Sequence, residues 1–347
     1  EAKKGKMFIL VDDKDRENEG DLVIPGSKCN SKNINFMATH GRGLICLALT
    51  KKKVEELNLP LMSSLNKARM QTAFTVSIEA KKGITTGISA FDRAKTIKIA
   101  INKKSKRKDI VSPGHVFPLV ARSGGVLERA GHTEASVDIS KLAKLNPSAV
   151  ICEVMNQDGR MARLKDLREF SKKHKLKIAS IEDLISFRLK NEKLVKNVSV
   201  KNIIFKKQKF EFMIYKNLLE KSFSFVIKKG KFAKNKSIRV RVLSKAMKNY
   251  NFDFSDKKIK KTLKYLTRFT DFVLIIIKDQ KSLKQKIFEE TKNNNILRYY
   301  GIGAQIIKDL GIKNMILVSR SKKKIIGLDG YGIKIVKQEI LKWTKRY

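Results

Sequence analysis

"MFILVDDKDRENEGDLVIP", residues 7 to 25, sets a short apolar run directly against six carboxylates in ten positions: Asp12, Asp13, Asp15, Glu17, Glu19 and Asp21. Residues 7 to 11 have the length and apolar character of a buried strand, so the acidic stretch reads as the loop that strand feeds. The same rhythm continues outward. Short apolar runs "LICLALT" at 44, "AFTVSI" at 73, "VFPLVA" at 116 and "AVICEVM" at 149 alternate with helix-period segments at 51–58, 90–101, 133–145, 163–174 and 181–190. Strands interleaved with amphipathic helices predict an α/β fold with a mixed (α+β) sheet over this half.

Crowded carboxylates repel one another, and Arg16 is the only arginine among them. Either water solvates the loop or a cation neutralises it. A hard divalent ion suits oxygen ligands and keeps positions open for water and substrate, so one or two of these side chains would suffice to hold it. Taken alone, such a loop is better explained as a solvated acidic turn.

It is not alone. "ARSGGVLERAGHTEASVDISKLAKL", residues 121 to 145, places Gly131 and His132 just before a helix whose apolar positions include Val137 and Leu142. A helix start presents free N–H groups and a positive dipole end, which suits a phosphate; Arg129 adds a fork of donors and Thr133 a hydroxyl. His115 sits in the turn "SPGHVFPL", and Glu153 lies inside an apolar strand, where a carboxylate is costly without a partner or a raised pKa. A structural histidine and a buried ion pair are the plain alternatives for these two.

Bulk properties narrow the class. At 347 residues the chain is long enough for two domains, and no run approaches the roughly 18 apolar residues that span a bilayer. No charged-then-apolar leader precedes Met7, and the three cysteines Cys29, Cys46 and Cys152 lack paired spacing, so a reducing cytoplasm is the expected compartment. The net charge is +44, of which residues 191 to 347 carry +28 from 40 basic and 12 acidic side chains. Scattered lysines read as solvated faces, and nucleic acid is not expected as a partner.

Five stretches in order, "VDDKDRENEGDLVIP", "FTVSIEA", "GITTGISAFDRAKTI", "PGHVFPLVARSGGVLERAGHTEASVD" and "EVMNQDGRMARL", resemble the 3,4-dihydroxy-2-butanone 4-phosphate synthase family of riboflavin biosynthesis. The resemblance implies a lyase that turns ribulose 5-phosphate into 3,4-dihydroxy-2-butanone 4-phosphate and formate, with Mg²⁺ or Mn²⁺ and no organic cofactor. It makes Glu17 and His132 the metal ligands. Arg16, Glu17, Asp21, Arg129, Ala130, Gly131, His132, Thr133 and Glu153 become substrate contacts, and His115 and Glu153 the acid-base residues. It also implies a homodimer with sites at the subunit interface. Cys46 falls near these residues but reads equally well as core.

The expected boundary separates a synthase domain, residues 1–195, from a second α/β domain, residues 196–347. Strands are expected near 210–215, 222–227, 238–243, 271–277 and 314–318, with helices near 256–267, 281–292 and 303–310. "LRYYGIGAQIIKDLGIKNMILVSRSKKKIIGLDGYGIKIVKQEIL" near 297–341 resembles the end of GTP cyclohydrolase II, which uses a zinc held by three cysteines. All four histidines and all three cysteines precede residue 175, and "IRVRVLSKAM" at 238 stands where the first zinc cysteine is expected. The expectation is a second domain without zinc and without cyclohydrolase activity, with a bifunctional enzyme as the alternative.

Overall fold

The structure is a computed structural model describing every residue except 15, 64, 67–69, 71, 206, 219–221, 234–235, 247–253, 280–291, 322–327, 329–330 and 342–347. The chain forms two compact units, Glu1–Ile185 and Ser186–Tyr347, each built on a seven-stranded mixed sheet. The mixed α/β class expected from the alternating pattern holds in both.

In the first unit the strands are β1 (Phe8–Val11), β2 (Gly20–Pro25), β3 (Cys46–Thr50), β4 (Ile78–Ala80), β5 (Ile110–Ala121), β6 (Ser148–Glu153) and β7 (Lys177–Ser180). Their order across the sheet is β4-β5-β3-β6-β2-β1-β7. Pairs β3–β5 and β1–β7 are parallel, and the other four are antiparallel. Period-2 alternation sorts the faces. Leu47 and Leu49 of β3 join the main core with Ile34 of α1 (Ser31–Phe36) and Ile97 of α3 (Ala90–Ile101), and Ala48 between them meets Val137 of α4 (His132–Leu142) and Ala121 of β5. Small residues on that second face let α4 lie close over β6, β2 and β3. Each fully buried leucine or isoleucine contributes about 1.5–3 kcal/mol of transfer free energy.

The acidic stretch is the connection between β1 and β2, which pair antiparallel from Phe8↔Val23 to Val11↔Gly20. Sequence reading marked β1 but left β2, α1 and β7 unread. All six residues of β2 are buried, yet it opens on Gly20 and Asp21 and closes on Pro25, so no alternation marks it. "AFTVSI" is not a strand over 73–78; it makes isolated bridges at Phe74 and Thr75, and only Ile78 enters β4. Helix α2 (Lys51–Glu56) follows β3 on a Thr50 cap, α5 (Leu164–His174) precedes β7, and α6 (Ile181–Asn191) follows it.

The second unit orders its strands β14-β13-β11-β12-β10-β9-β8. They are β8 (Val195–Phe205), β9 (Gln208–Asn217), β10 (Phe223–Lys229), β11 (Ser237–Ala246), β12 (Phe272–Asp279), β13 (Asn314–Ser319) and β14 (Lys334–Ile340), with helices α7 (Lys257–Leu266) and α8 (Lys292–Asp309). The polar stretch "KNEKLVKN", residues 190–197, runs from the end of α6 straight into edge strand β8. Buried Gln305 of α8 ties it down, accepting from the Leu194 N–H at 2.7 Å and donating to the carbonyls of Leu189 at 3.0 Å and Glu192 at 2.6 Å. The helix expected at 281–292 lies, but for its last residue, outside the described residues.

Candidate active site

One end of the first sheet collects the chemistry. β1 stops at Val11, just before Asp12; β2 begins with Gly20 and Asp21; β6 ends at Glu153. Asp21 and Glu153 are cross-strand partners, so two carboxylates face each other on adjacent strands.

Asp12 organises the acidic loop. Its carboxylate has no exposed surface, accepts from the N–H groups of Glu19 (2.9 Å) and Glu17 (3.2 Å), and pairs with Arg16 at 2.7 Å. Arg16 also pairs with Glu17, so its guanidinium is engaged inside the loop. From outside, Arg163 donates to the carbonyls of Glu17 at 2.7 Å and Asn18 at 2.6 Å, fixing the turn where Asn18 adopts φ 56°. Asp15 lies outside the described residues.

The first residue of α4 meets this loop. His132 is buried, and its Nε2 lies 3.1 Å from the Leu10 carbonyl oxygen. A carbonyl only accepts, so Nε2 carries the proton and Nδ1 the lone pair. That lone pair looks at Asp21 Oδ1, 3.8 Å away, and Glu17 Oε2, 3.9 Å away. Burial drives the His132 pKa down to about 4, with Asp12 opposing and Arg16 assisting. Among the described residues Asp21 Oδ1, itself buried, has no hydrogen-bond partner. Burial first, then the charge of Glu153, pushes the Asp21 carboxyl well above its usual range. Ligand atoms of Asp12, Glu17 and His132 all lie within 4.8 Å of one another.

Glu153 accepts a 2.8 Å bond from the Leu44 N–H, and burial raises its carboxyl. Cys46, on β3, is buried; burial, then the charges of Glu153 and Asp21, pushes its thiol upward, so it is a core residue beside the carboxylates. Arg129 spends its donors on Glu134 (2.7 Å), Thr72 (3.0 Å) and the Met70 carbonyl. Gly131, in extended conformation, caps α4 without a side chain, and Ala130 and Thr133 are buried beside it. The helix start therefore leaves its first backbone N–H groups without a side-chain cap.

His115 is placed by the sheet. It lies on β5, two residues before Phe117, which pairs with Cys46 of β3, and its side chain is 44% exposed. Its Nδ1 pairs with the carboxylate of Glu79 on β4, a residue that sequence reasoning missed. Their separation of 36 positions gave no signal, because β4 is only three residues long. In the second unit, a cavity of about 530 Å³ is lined by Val240, Arg241, Ser319 and Arg320 among others; the lysine run after Ser321 lies outside the described residues.

The family model for 3,4-dihydroxy-2-butanone 4-phosphate synthase matches residues 1–187, and that for GTP cyclohydrolase II matches 196–339. The riboflavin biosynthesis protein RibBA of Aquifex aeolicus is 43% identical over 99% of this chain and 90% of its own length. A 3,4-dihydroxy-2-butanone 4-phosphate synthase of Photobacterium phosphoreum is 42% identical over 96% of this chain and 95% of its own. The crystal structure of RibBX, a two-domain 3,4-dihydroxy-2-butanone 4-phosphate synthase from A. baumannii, superposes with a TM-score of 0.81 at 38% identity, covering 99% of this chain and 97% of that one. A synthase crystallised with two magnesium ions matches at TM-score 0.52 and 38% identity over 55% of this chain and 94% of its own. With a carboxylate-rich hairpin loop, a buried histidine at a helix start and these relatives, the chain belongs to the 3,4-dihydroxy-2-butanone 4-phosphate synthase family, followed by a GTP cyclohydrolase II-like unit.

Proposed function

We propose that residues 1–195 convert D-ribulose 5-phosphate to L-3,4-dihydroxy-2-butanone 4-phosphate and formate, supplying the four-carbon unit of riboflavin. One observation carries the reading. The His132 lone pair faces Asp21 Oδ1 at 3.8 Å and Glu17 Oε2 at 3.9 Å, acceptors against acceptors, and Arg16 offsets only the charge of Glu17 and Asp12. A hard divalent cation fits this donor set, and the orphaned Asp21 Oδ1 gives it a further buried oxygen to engage directly or through water. Glu17 and His132 hold Mg²⁺, or Mn²⁺, in this reading. The ion supplies Lewis-acid charge where proton removal next to the substrate carbonyl develops negative oxygen.

The chain's own groups do the rest. Glu153, with a raised carboxyl, gives and takes protons beside Asp21. His115 is the second acid-base group, the N–H groups from Gly131 to Thr133 receive the sugar phosphate, and Arg16 and Arg129 shape the pocket walls. A homodimer, with a second copy closing the site, is part of this proposal. Among the described residues no helix is long and apolar enough to cross a membrane. The three free cysteines suit a cytoplasmic setting.

Residues 196–347 form the second domain, without cyclohydrolase activity in this proposal, because no cysteine or histidine after residue 174 is available to hold a catalytic zinc. A bifunctional enzyme is the alternative, favoured by the cyclohydrolase II match and by the 38% identical bifunctional riboflavin biosynthesis protein RIBA 1 of Arabidopsis thaliana. Formate release from ribulose 5-phosphate and from GTP, measured side by side with zinc content, separates the two. Formate from ribulose 5-phosphate alone supports the proposal, and GTP turnover overturns the loss of the second activity.

A further inference from the structure

We infer that Glu79 is a positioning residue for His115: its carboxylate accepts a hydrogen bond from Nδ1–H, fixing the tautomer that leaves Nε2 as the basic nitrogen. The inference rests on the reading of His115 as an acid-base residue. Glu79 sits on the short strand β4 and His115 on β5, and a register shift at Ile78/Glu79 lets the two side chains meet. Among the described residues Glu79 is the hydrogen-bond and ion-pair partner of His115. Two other carboxylates nearby are occupied: that of Asp92 on α3 by Thr85 and the Gly87 N–H, and that of Glu153 on β6 by the Leu44 N–H.

The carboxylate is confined from behind. A Cβ on Gly87 would stand 1.6 Å from Glu79 Oε1, and Gly87 has φ +91°, so the backbone occupies the space a side chain would take and hems the carboxylate in on that side. On the β5 side, a Cβ on Gly114, next to His115, would stand 2.2 Å from the Ile78 carbonyl carbon, so the two strands approach as only glycine permits. Glu79 keeps 15% of its side-chain surface exposed while the His115 ring keeps 44%. The carboxylate is therefore the inner member of the pair and the ring the outer one, an arrangement that orients an imidazole and balances its charge when it takes a proton. An ordinary surface ion pair has neither the confinement nor the inner carboxylate.

Histidine-selective ¹⁵N spectra of the Mg²⁺-loaded protein test this, with only four histidines to resolve and His115→Gln to assign the signal. At a pH where the ring is neutral, the wild-type signal should show the Nδ1–H tautomer, and Glu79→Leu should move it to Nε2–H. The same substitution should lower kcat for ribulose 5-phosphate on the order of 10- to 100-fold, as losing an orienting carboxylate commonly does, with KM within twofold. Glu79→Asp should recover part of the rate, and adding Glu79→Leu to His115→Gln should cost little more than His115→Gln alone. If Glu79→Leu does not fold, Glu79→Gln keeps the shape and should lower kcat without moving KM. An unchanged tautomer in Glu79→Leu, or an unchanged kcat in whichever variant folds, overturns the inference. If His115→Gln keeps full activity, the acid-base reading of His115 has failed instead, while the spectra still report the pair.

Discussion

Replacing Gly43 with alanine tests whether packing of the loop before β3 is what holds Glu153 in place. A methyl there would stand 2.5 Å from the Glu153 carbonyl oxygen, 2.6 Å from its Oε2 and 2.8 Å from its Cβ. Ordinary contact is about 3.5–4.0 Å, so the two segments must separate by about 1 Å. The Leu44 N–H to Glu153 bond, 2.8 Å in the native fold, does not survive such a retreat. Overpacking of this kind costs about 1–3 kcal/mol, and at about 2–4 °C per kcal/mol for a unit of this size the melting temperature should fall by roughly 2–12 °C. Misplacing a reacting group by 1 Å costs on the order of 10²-fold in rate. Formate release from ribulose 5-phosphate and differential scanning calorimetry in saturating Mg²⁺ read the two effects. Turnover within twofold of wild type together with an unchanged melting temperature would refute the reasoning, because the methyl would then have found room the structure does not contain.

Glu17→Ala and His132→Ala should each lower formate production by roughly 10³-fold, the scale of several kcal/mol of lost charge stabilisation, and isothermal titration should show weakened Mg²⁺ binding; full activity in either variant removes that residue from the metal. Mg²⁺ should protect the fold more at pH 8 than at pH 5. Burial, followed by carboxylate repulsion, raises the carboxyls of Asp21, Glu153 and Glu19, so their contribution in the cation-free fold is complete below the unfolded carboxyl range and is lost as pH rises through the folded values. His132 runs the other way: held at about 4 against 6.5 unfolded, it contributes fully above pH 6.5 and loses that contribution as pH falls toward 4. Equal rises in melting temperature on adding Mg²⁺ at the two pH values would count against repulsion as the cause. Gln305→Ala should cost the second unit about 3 kcal/mol, read by urea unfolding, since it strips three backbone partners at once, two of them buried; a loss under 0.5 kcal/mol would show that water replaces them.

Much of this was legible in the chain before any fold was known. The apolar runs of β1, β3 and β6 and the contrast between "MFILV" and the acidic stretch pointed to a sheet feeding a charged loop, and "RAGHT" pointed to the start of α4. What the sequence concealed has physical causes. Strand β2 lies buried throughout, so it shows no alternation, and its one charged residue made it look like loop. Strands β8 and β14 are the edges of the second sheet, where lysine and other polar side chains guard the exposed backbone and dilute the apolar signal that marks central β12. Glu79 and Asp12 escaped because their roles depend on who sits opposite. Asp12 reads as one more acid in the run, yet its carboxylate is the hub that shapes the loop.

The pairing of Asp21 with Glu153 ties the chemistry to the accuracy of assembly. Slipping β2 by one residue on β6 would turn Asp21 to the opposite face and offer Leu22 in its place. The hairpin that carries Glu17 would move with it, away from His132. A divalent ion that engages these groups together therefore favours one alignment of strands drawn from distant parts of the chain, and rewards none of the near misses. With Glu17 and His132 holding the ion as proposed, the metal would be a proofreader of its own scaffold as well as a reagent.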